Sequence, residues 1–84
     1  MAKRVIPIPF PKQPHELTHE FIGEFIKAKR TQSGLTTHQA AMLCGVPVDV
    51  FTKLERNNGG ITLQSFLKVV NGLGVDLRFV AEDV

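Results

Sequence analysis

The sequence predicts an all-α domain of four helices followed by one short C-terminal strand. Three observations predict it. Apolar residues recur three and four apart in four separate segments between positions 18 and 74. Each segment opens on threonine or proline and closes on glycine or asparagine, the residue types that start and stop helices. The last apolar segment, 75–80, instead alternates apolar and charged residues, which is the strand period. With 84 residues and 43% hydrophobic content, the chain can build one small core.

Residues 1–17 form a proline-rich, basic N-terminal arm. Pro7, Pro9, Pro11 and Pro14 fix the backbone angle and remove amide donors, so the stretch is extended and cannot be a central strand. Ile6, Ile8 and Phe10 still alternate onto one face. The arm is therefore either flexible or docked, as an edge strand or onto a partner.

The first helix starts at Thr18, an N-cap, with Glu20 favoured in the first turn by the helix dipole. Phe21, Ile22, Phe25 and Ile26 form its buried stripe, and Gly34 stops it. Thr36 and Gln39 stand at capping-box spacing and open a second, shorter helix whose apolar side is Ala40, Ala41 and Cys44. Gly45 then supplies a tight turn. Pro47 opens a third helix with Phe51 and Leu54 inward, ended by Asn57-Asn58-Gly59-Gly60. Thr62 caps a fourth, with Leu63, Phe66, Leu67 and Val70 inward and Gly72 and Gly74 closing it. The strand at 75–80 has unsatisfied edges and needs a partner. The division is thus arm 1–17, helical domain 18–74, and C-terminal strand and tail 75–84.

Composition excludes several classes. No apolar run approaches the roughly 18–20 residues needed to span a bilayer, and prolines interrupt the basic start too often for a secretory signal. A single cysteine, Cys44, makes no disulfide within the chain and fits a reducing, cytoplasmic setting. The net charge of +2 is mild. Resolved by segment it is +3 over residues 1–30, zero over 31–57 and −1 over 58–84.

Two motifs invite an enzymatic reading and fail it. His15-Glu16-Leu17-Thr18-His19 matches H-E-x-x-H, which needs both histidines on one helical face, a base and a third zinc ligand. The capping Thr18 separates the two histidines, and Ile22, Phe25 and Gln39 stand where the glycine and third ligand are wanted. Cys44 and His38 are six residues apart on a short helix, a spacing that does not bring them together. No catalytic residue, metal site or cofactor is expected.

The informative segment is 26–57: a capped helix, a turn at Gly45-Val46 and a second helix of similar length. That is the helix-turn-helix order, which lays one helix across the phosphate backbone and offers the next to the major groove. An ordinary αα-hairpin has the same periodicity. Here Ile22-Gly23, Ile26, Arg30, Gly34-Leu35-Thr36, Ala41, Gly45-Val46 and Leu54-Glu55 resemble the lambda-repressor/Cro-type, or xenobiotic-response-element, family over residues 18–75. The tail, Leu67-x-x-Val70-x-x-Leu73-Gly74-Val75-x-Leu77-x-Phe79, is similar to the HipB-like antitoxin branch.

The resemblance implies a homodimer that binds double-stranded operator DNA, represses its own operon and holds a HipA-like kinase toxin. It implies a structural ion pair between Arg30 and Glu55. Thr36 and Thr37 fall at a phosphate-contacting helix start, with Thr37 where the family usually has glutamine. Val48, Asp49, Thr52 and Lys53 fall at base-facing positions and Arg56 at a phosphate. Val75, Leu77 and Phe79 fall on the dimerising strand. Lysine can donate to guanine, aspartate can accept from cytosine, and Thr52 or Val48 can meet a thymine methyl.

Two departures stand out. The recognition segment is net neutral, and Val48 replaces a polar reader. Phosphate contacts supply most non-specific affinity, so one protomer should bind weakly, leaving Lys3 and Arg4 of the arm as candidates to compensate. A module that only neutralises a toxin, with little DNA binding, and a stand-alone phage-type repressor remain as alternatives.

Overall fold

The computed structural model describes residues 5–13, 16–56 and 60–81. Four helices follow in order: α1 (His19–Gln32), α2 (Thr37–Cys44), α3 (Val48–Glu55) and α4 (Leu63–Gly72). Their ends obey the sequence. The hydroxyls of Thr18, Thr36 and Thr62 accept from the amides of Phe21, Gln39 and Ser65, each satisfying a donor the helix leaves free. Gln39 Oε1 accepts in return from the Thr36 amide at 2.9 Å, completing the capping box. Asn57, Asn58 and Gly59, expected to end the third helix, lie outside the described residues.

α2 packs on both α3 and α4, and α1 packs on α3. Phe51, Ile26 and Val69 are fully buried at the centre, joined by Ala40, Ala41, Cys44, Val46, Leu54 and Leu73. The small residues of α2 set the helix spacing. A methyl added at Gly72 of α4 would stand 2.7 Å from Cys44 Sγ and 2.8 Å from its Cα. Gly72 is thus the last residue of α4 and a packing requirement, where the sequence suggested a helix stop. Gly74, at φ +74°, takes the left-handed position instead.

The inward face of α4 is also turned from the expected one. Val69 and Val70 are buried and Phe66 half-buried, while Leu63 and Leu67 are 71% and 43% exposed. Positions 63, 66, 67 and 70 share one stripe of a helix, but α2 approaches through its neighbour, the stripe of Val69 and Gly72. Periodicity cannot say which of two adjoining apolar stripes meets the core.

The C-terminal strand is not found. Residues 75–81 carry no regular secondary structure. The Val75 amide closes α4 by donating to Val70 O at 2.9 Å, and among the described residues there is no second strand to complete a ladder. Leu77, Phe79 and Val80 are left 42%, 93% and 87% exposed. The alternation was real, but one chain alone gives it nothing to pair with.

The arm is docked, on its own α1. The Ile8 amide donates to Thr31 Oγ1 at 3.0 Å, and Gln32 Nε2 donates to Ile8 O at 2.7 Å. The Phe10 ring lies 4.6 Å, centroid to centroid, from Phe25. Thr31 also donates its hydroxyl within its own helix, to Lys27 O or Ala28 O. Ala28 and Thr31, buried but outside the main core cluster, belong to this second packed face of α1.

Candidate nucleic-acid interface

The turn between α2 and α3 is short because Gly45 adopts φ +71°, a conformation costly for any side chain with a Cβ. The amides of Gly45 and Val46 then donate back to Met42 O and Ala41 O, closing the last turn of α2. Val46 drops into the core, and Pro47, with φ −61°, is the N-cap of α3 without a side-chain cap. Two helices of eight residues each are thereby held at a fixed angle.

α3 is oriented by what it buries. Phe51 and Leu54 face the core, so positions 49, 52, 53 and 56 share the opposite side. Asp49, Lys53 and Arg56 are exposed and Thr52 is half-buried. Val48 sits at the edge of this face, half-buried and packed against the core, so only part of its side chain looks outward. The exposed face carries two cations and one anion.

Arg30 and Glu55 lie behind that face. Arg30 Nε donates to Glu55 Oε2 at 2.6 Å and Nη2 to Oε1 at 3.2 Å, while Nη1 donates to Leu35 O at 2.9 Å. One guanidinium therefore ties α1, the α1–α2 connection and the end of α3. Fork-to-fork pairing fixes orientation as well as distance.

At the start of α2, Thr36 and Thr37 are both half-buried. The Thr36 oxygen already caps the helix, so what this end offers an anion is the hydroxyl hydrogens and the uncapped amides of the first turn. Lys27 is exposed and Lys29 half-buried on the adjoining last two turns of α1. Of the expected dimerisation residues, Val75 is half-buried and packs on the core. Leu77 and Phe79 line an open groove of about 480 Å³ between the tail, α1 and α4. A smaller hollow of about 260 Å³ lies where Lys53 meets His19, Ile61 and Phe66.

Sequence reasoning did not foresee that the arm folds back on α1, nor the close approach of Cys44 and Gly72. The signal for the first was present: Ile8 and Phe10 alternate on the arm, and Ala28 and Thr31 put small residues on the back of α1.

No family model matches the chain, and no curated protein matches it either. Solved structures do. A chain of the HipA–HipB–O2–O3 complex superposes with a TM-score of 0.72 at 20% identity, covering 84% of this chain and all of that one. A variant HipB in complex with an O2 20mer gives 0.72 at 19%, covering 86% of this chain and all of the other. A protein described as MDT Protein gives 0.71 at 20%, covering 84% and all of its own length. The chain has the HipB-type all-α fold, with a helix-turn-helix formed by α2 and α3.

Proposed function

We propose that the chain is a DNA-binding transcriptional repressor, the antitoxin of a toxin–antitoxin operon that represses its own transcription and binds a HipA-like kinase toxin. The observation that carries this reading is the face of α3. Asp49, Thr52, Lys53 and Arg56 are turned outward on a helix whose far end is pinned by Arg30 and Glu55. Such a helix fits the major groove while the start of α2 meets the phosphates. The solved HipB complexes that share the fold, one of them with HipA, support the choice of partners.

The working unit in this reading is a homodimer. Leu63, Leu67, Leu77 and Phe79 line the groove between α1 and α4 and are each left 42–93% exposed, and Val80 is exposed beyond them; clustered apolar exposure of this kind marks an interaction site. A second copy would cover it and give Val75, Leu77 and Phe79 the strand partner that one chain lacks. Symmetric pairing would set two copies of α3 about one DNA turn, or a multiple of it, apart. The arm 1–17, the domain 18–74 and the tail 75–84 then divide the work of support, reading and pairing.

A second reading, a toxin-neutralising module with little DNA binding, is favoured by the low charge of α3. A salt titration on DNA from the protein's own promoter separates them. Repression requires that log affinity fall with log salt, by about 0.9 for each phosphate contact. A flat line would leave only the neutralising role, and capture of the toxin by the tagged chain would then be the remaining activity.

A further inference from the structure

Of the cations expected to meet DNA, Lys3 and Arg4 lie outside the described residues, whereas Lys53 lines a cavity. This is the hollow of about 260 Å³ where the first turn of α1, the last turn of α3 and the first turn of α4 meet. Its inner lining is apolar: Ile22, Leu54, Ile61 and Phe66 are buried or half-buried there. Two polar side chains, Lys53 and His19, complete it, and both are exposed. A lysine lays its apolar stem along such a wall and keeps its ammonium in water at the mouth. Among the described residues no carboxylate bonds Lys53, not even Asp49 one turn earlier on α3. An apolar hollow with a few polar groups converging on it is the ordinary form of a small-molecule site. Drug-sized ligands occupy about 300–1,000 Å³, so this hollow takes something smaller. The lining sets the chemistry of the occupant: an apolar body against Ile61 and Phe66, and an anionic head at Lys53, to which the His19 ring can also donate.

We propose that the hollow binds a small amphipathic carboxylate, and that binding draws Lys53 away from DNA. The second half rests on the DNA-binding reading above, in which Lys53 is turned toward the bases. One ammonium cannot serve a guanine edge and a carboxylate in the hollow at the same time. The occupied chain therefore keeps its phosphate contacts and loses part of its preference for the promoter. A ligand shifts an equilibrium only by its differential affinity for the two states, so the weaker of the two Lys53 contacts limits the effect. An exposed ion pair is worth about two- to fivefold in affinity, and that is the size of the coupling. The larger groove beside the hollow is a poorer host for an anion, because its Arg78 is already bonded to Asp76 at 3.0 Å.

The test titrates the full chain with straight-chain monocarboxylates from butanoate to octanoate, and with the alcohols of the same length, following amide shifts by NMR. The acids should saturate the chain and move Lys53, Gly60 and Ile61, all at the hollow. At equal length they should bind about two- to fivefold more tightly than the alcohols, with the advantage shrinking in high salt. Lys53→Met should reduce each acid to the affinity of its alcohol. His19→Trp, which fills the mouth from an exposed position, should abolish binding of both, with circular dichroism checking that the helices persist. Saturating acid should weaken promoter binding by about two- to fivefold, more than it weakens binding to a random duplex, and the promoter should weaken acid binding by the same factor. Equal affinity for acid and alcohol, or shifts at Leu77 and Phe79 instead, overturns the site and leaves the DNA-binding reading intact. Binding at the hollow with promoter affinity unchanged overturns the link to DNA. A flat salt slope on DNA removes the DNA-binding reading and that link together, while the titration without DNA still decides the site.

Discussion

Arg30 and Glu55 join the end of α1 to the end of α3 through two hydrogen bonds, with side chains only 11% and 7% exposed. At that burial the pair as a whole adds little over an apolar packing of the same shape, but either partner alone is costly. Arg30→Met should therefore destabilise the fold by about 3–5 kcal/mol, because Glu55 is left charged and unpaired. A domain of this size has about 4–12 kcal/mol in all. Thermal unfolding should show the midpoint falling by more than about 10 °C. A fall of a degree or two would mean that solvent already screens the pair.

Gly72→Ala tests the closest approach between two helices. In a helix interior alanine is normally better than glycine by about 0.5–1 kcal/mol. Here its Cβ would sit 2.8 Å from the Cys44 backbone, which cannot move without shifting α2. Overpacking of this kind costs about 1–3 kcal/mol, so the net effect should be destabilising. Adding Cys44→Ala should not rescue it, since that change removes the sulfur and leaves the clash with the α2 backbone in place. Denaturant midpoints of the single and double variants decide the point.

The helices and their caps were legible because they depend on local chemistry: threonine before an apolar run, glycine where φ must be positive. The outward face of α3 was legible for the same reason, once Phe51 and Leu54 were assigned inward. Other features depend on choices made at longer range. Leu63 and Val69 are equally apolar, and only the approach of α2 through Cys44 and Gly72 decides which is buried. The alternation at 75–80 reads as a strand, yet strand structure belongs to a pair of segments and not to one. The docking of Ile8 on Thr31 spans 23 residues and uses a threonine whose hydroxyl could equally have bonded only within its own helix.

The exposed apolar tail predicts how assembly can be broken. Phe79 is 93% exposed and Leu67 43% exposed, so a charge at either position costs the single chain little. Buried in a dimer it would be expensive. Phe79→Glu and Leu67→Glu should each halve the mass measured by sedimentation equilibrium at micromolar concentration, with the helical circular dichroism unchanged. An unaltered mass would place the interface elsewhere.

Lys53 and Arg56 share the outer face of α3 but should fail differently. Arg56→Ala, if it removes a phosphate contact, should weaken binding to every duplex alike and flatten the salt slope by about 0.9. Lys53→Ala should cost about 1–3 kcal/mol on the cognate promoter and much less on random sequence, because a base contact carries the specificity. Competition binding with both duplexes distinguishes the two. Equal losses on both for Lys53→Ala would move it to the backbone.

Cys44 gives the fold an alkaline limit. Burial raises its thiol pKa above the ordinary value, since the thiolate would lose water without gaining a partner. The native state then keeps a proton that the unfolded state releases above about pH 8.5. Stability depends on the difference in protons bound, unfolded minus native, which is negative in that range. The contribution of Cys44 is thus fully present below the unfolded pKa and is lost as pH rises toward the raised native one. Urea midpoints should be level with respect to this group from pH 6 to 8 and decline from about 8.5 upward. Cys44→Ala will start lower, because it opens a cavity against Val69, but its decline over the same interval should be shallower than that of the parent. Parallel curves for the two proteins would show that Cys44 does not set the alkaline limit.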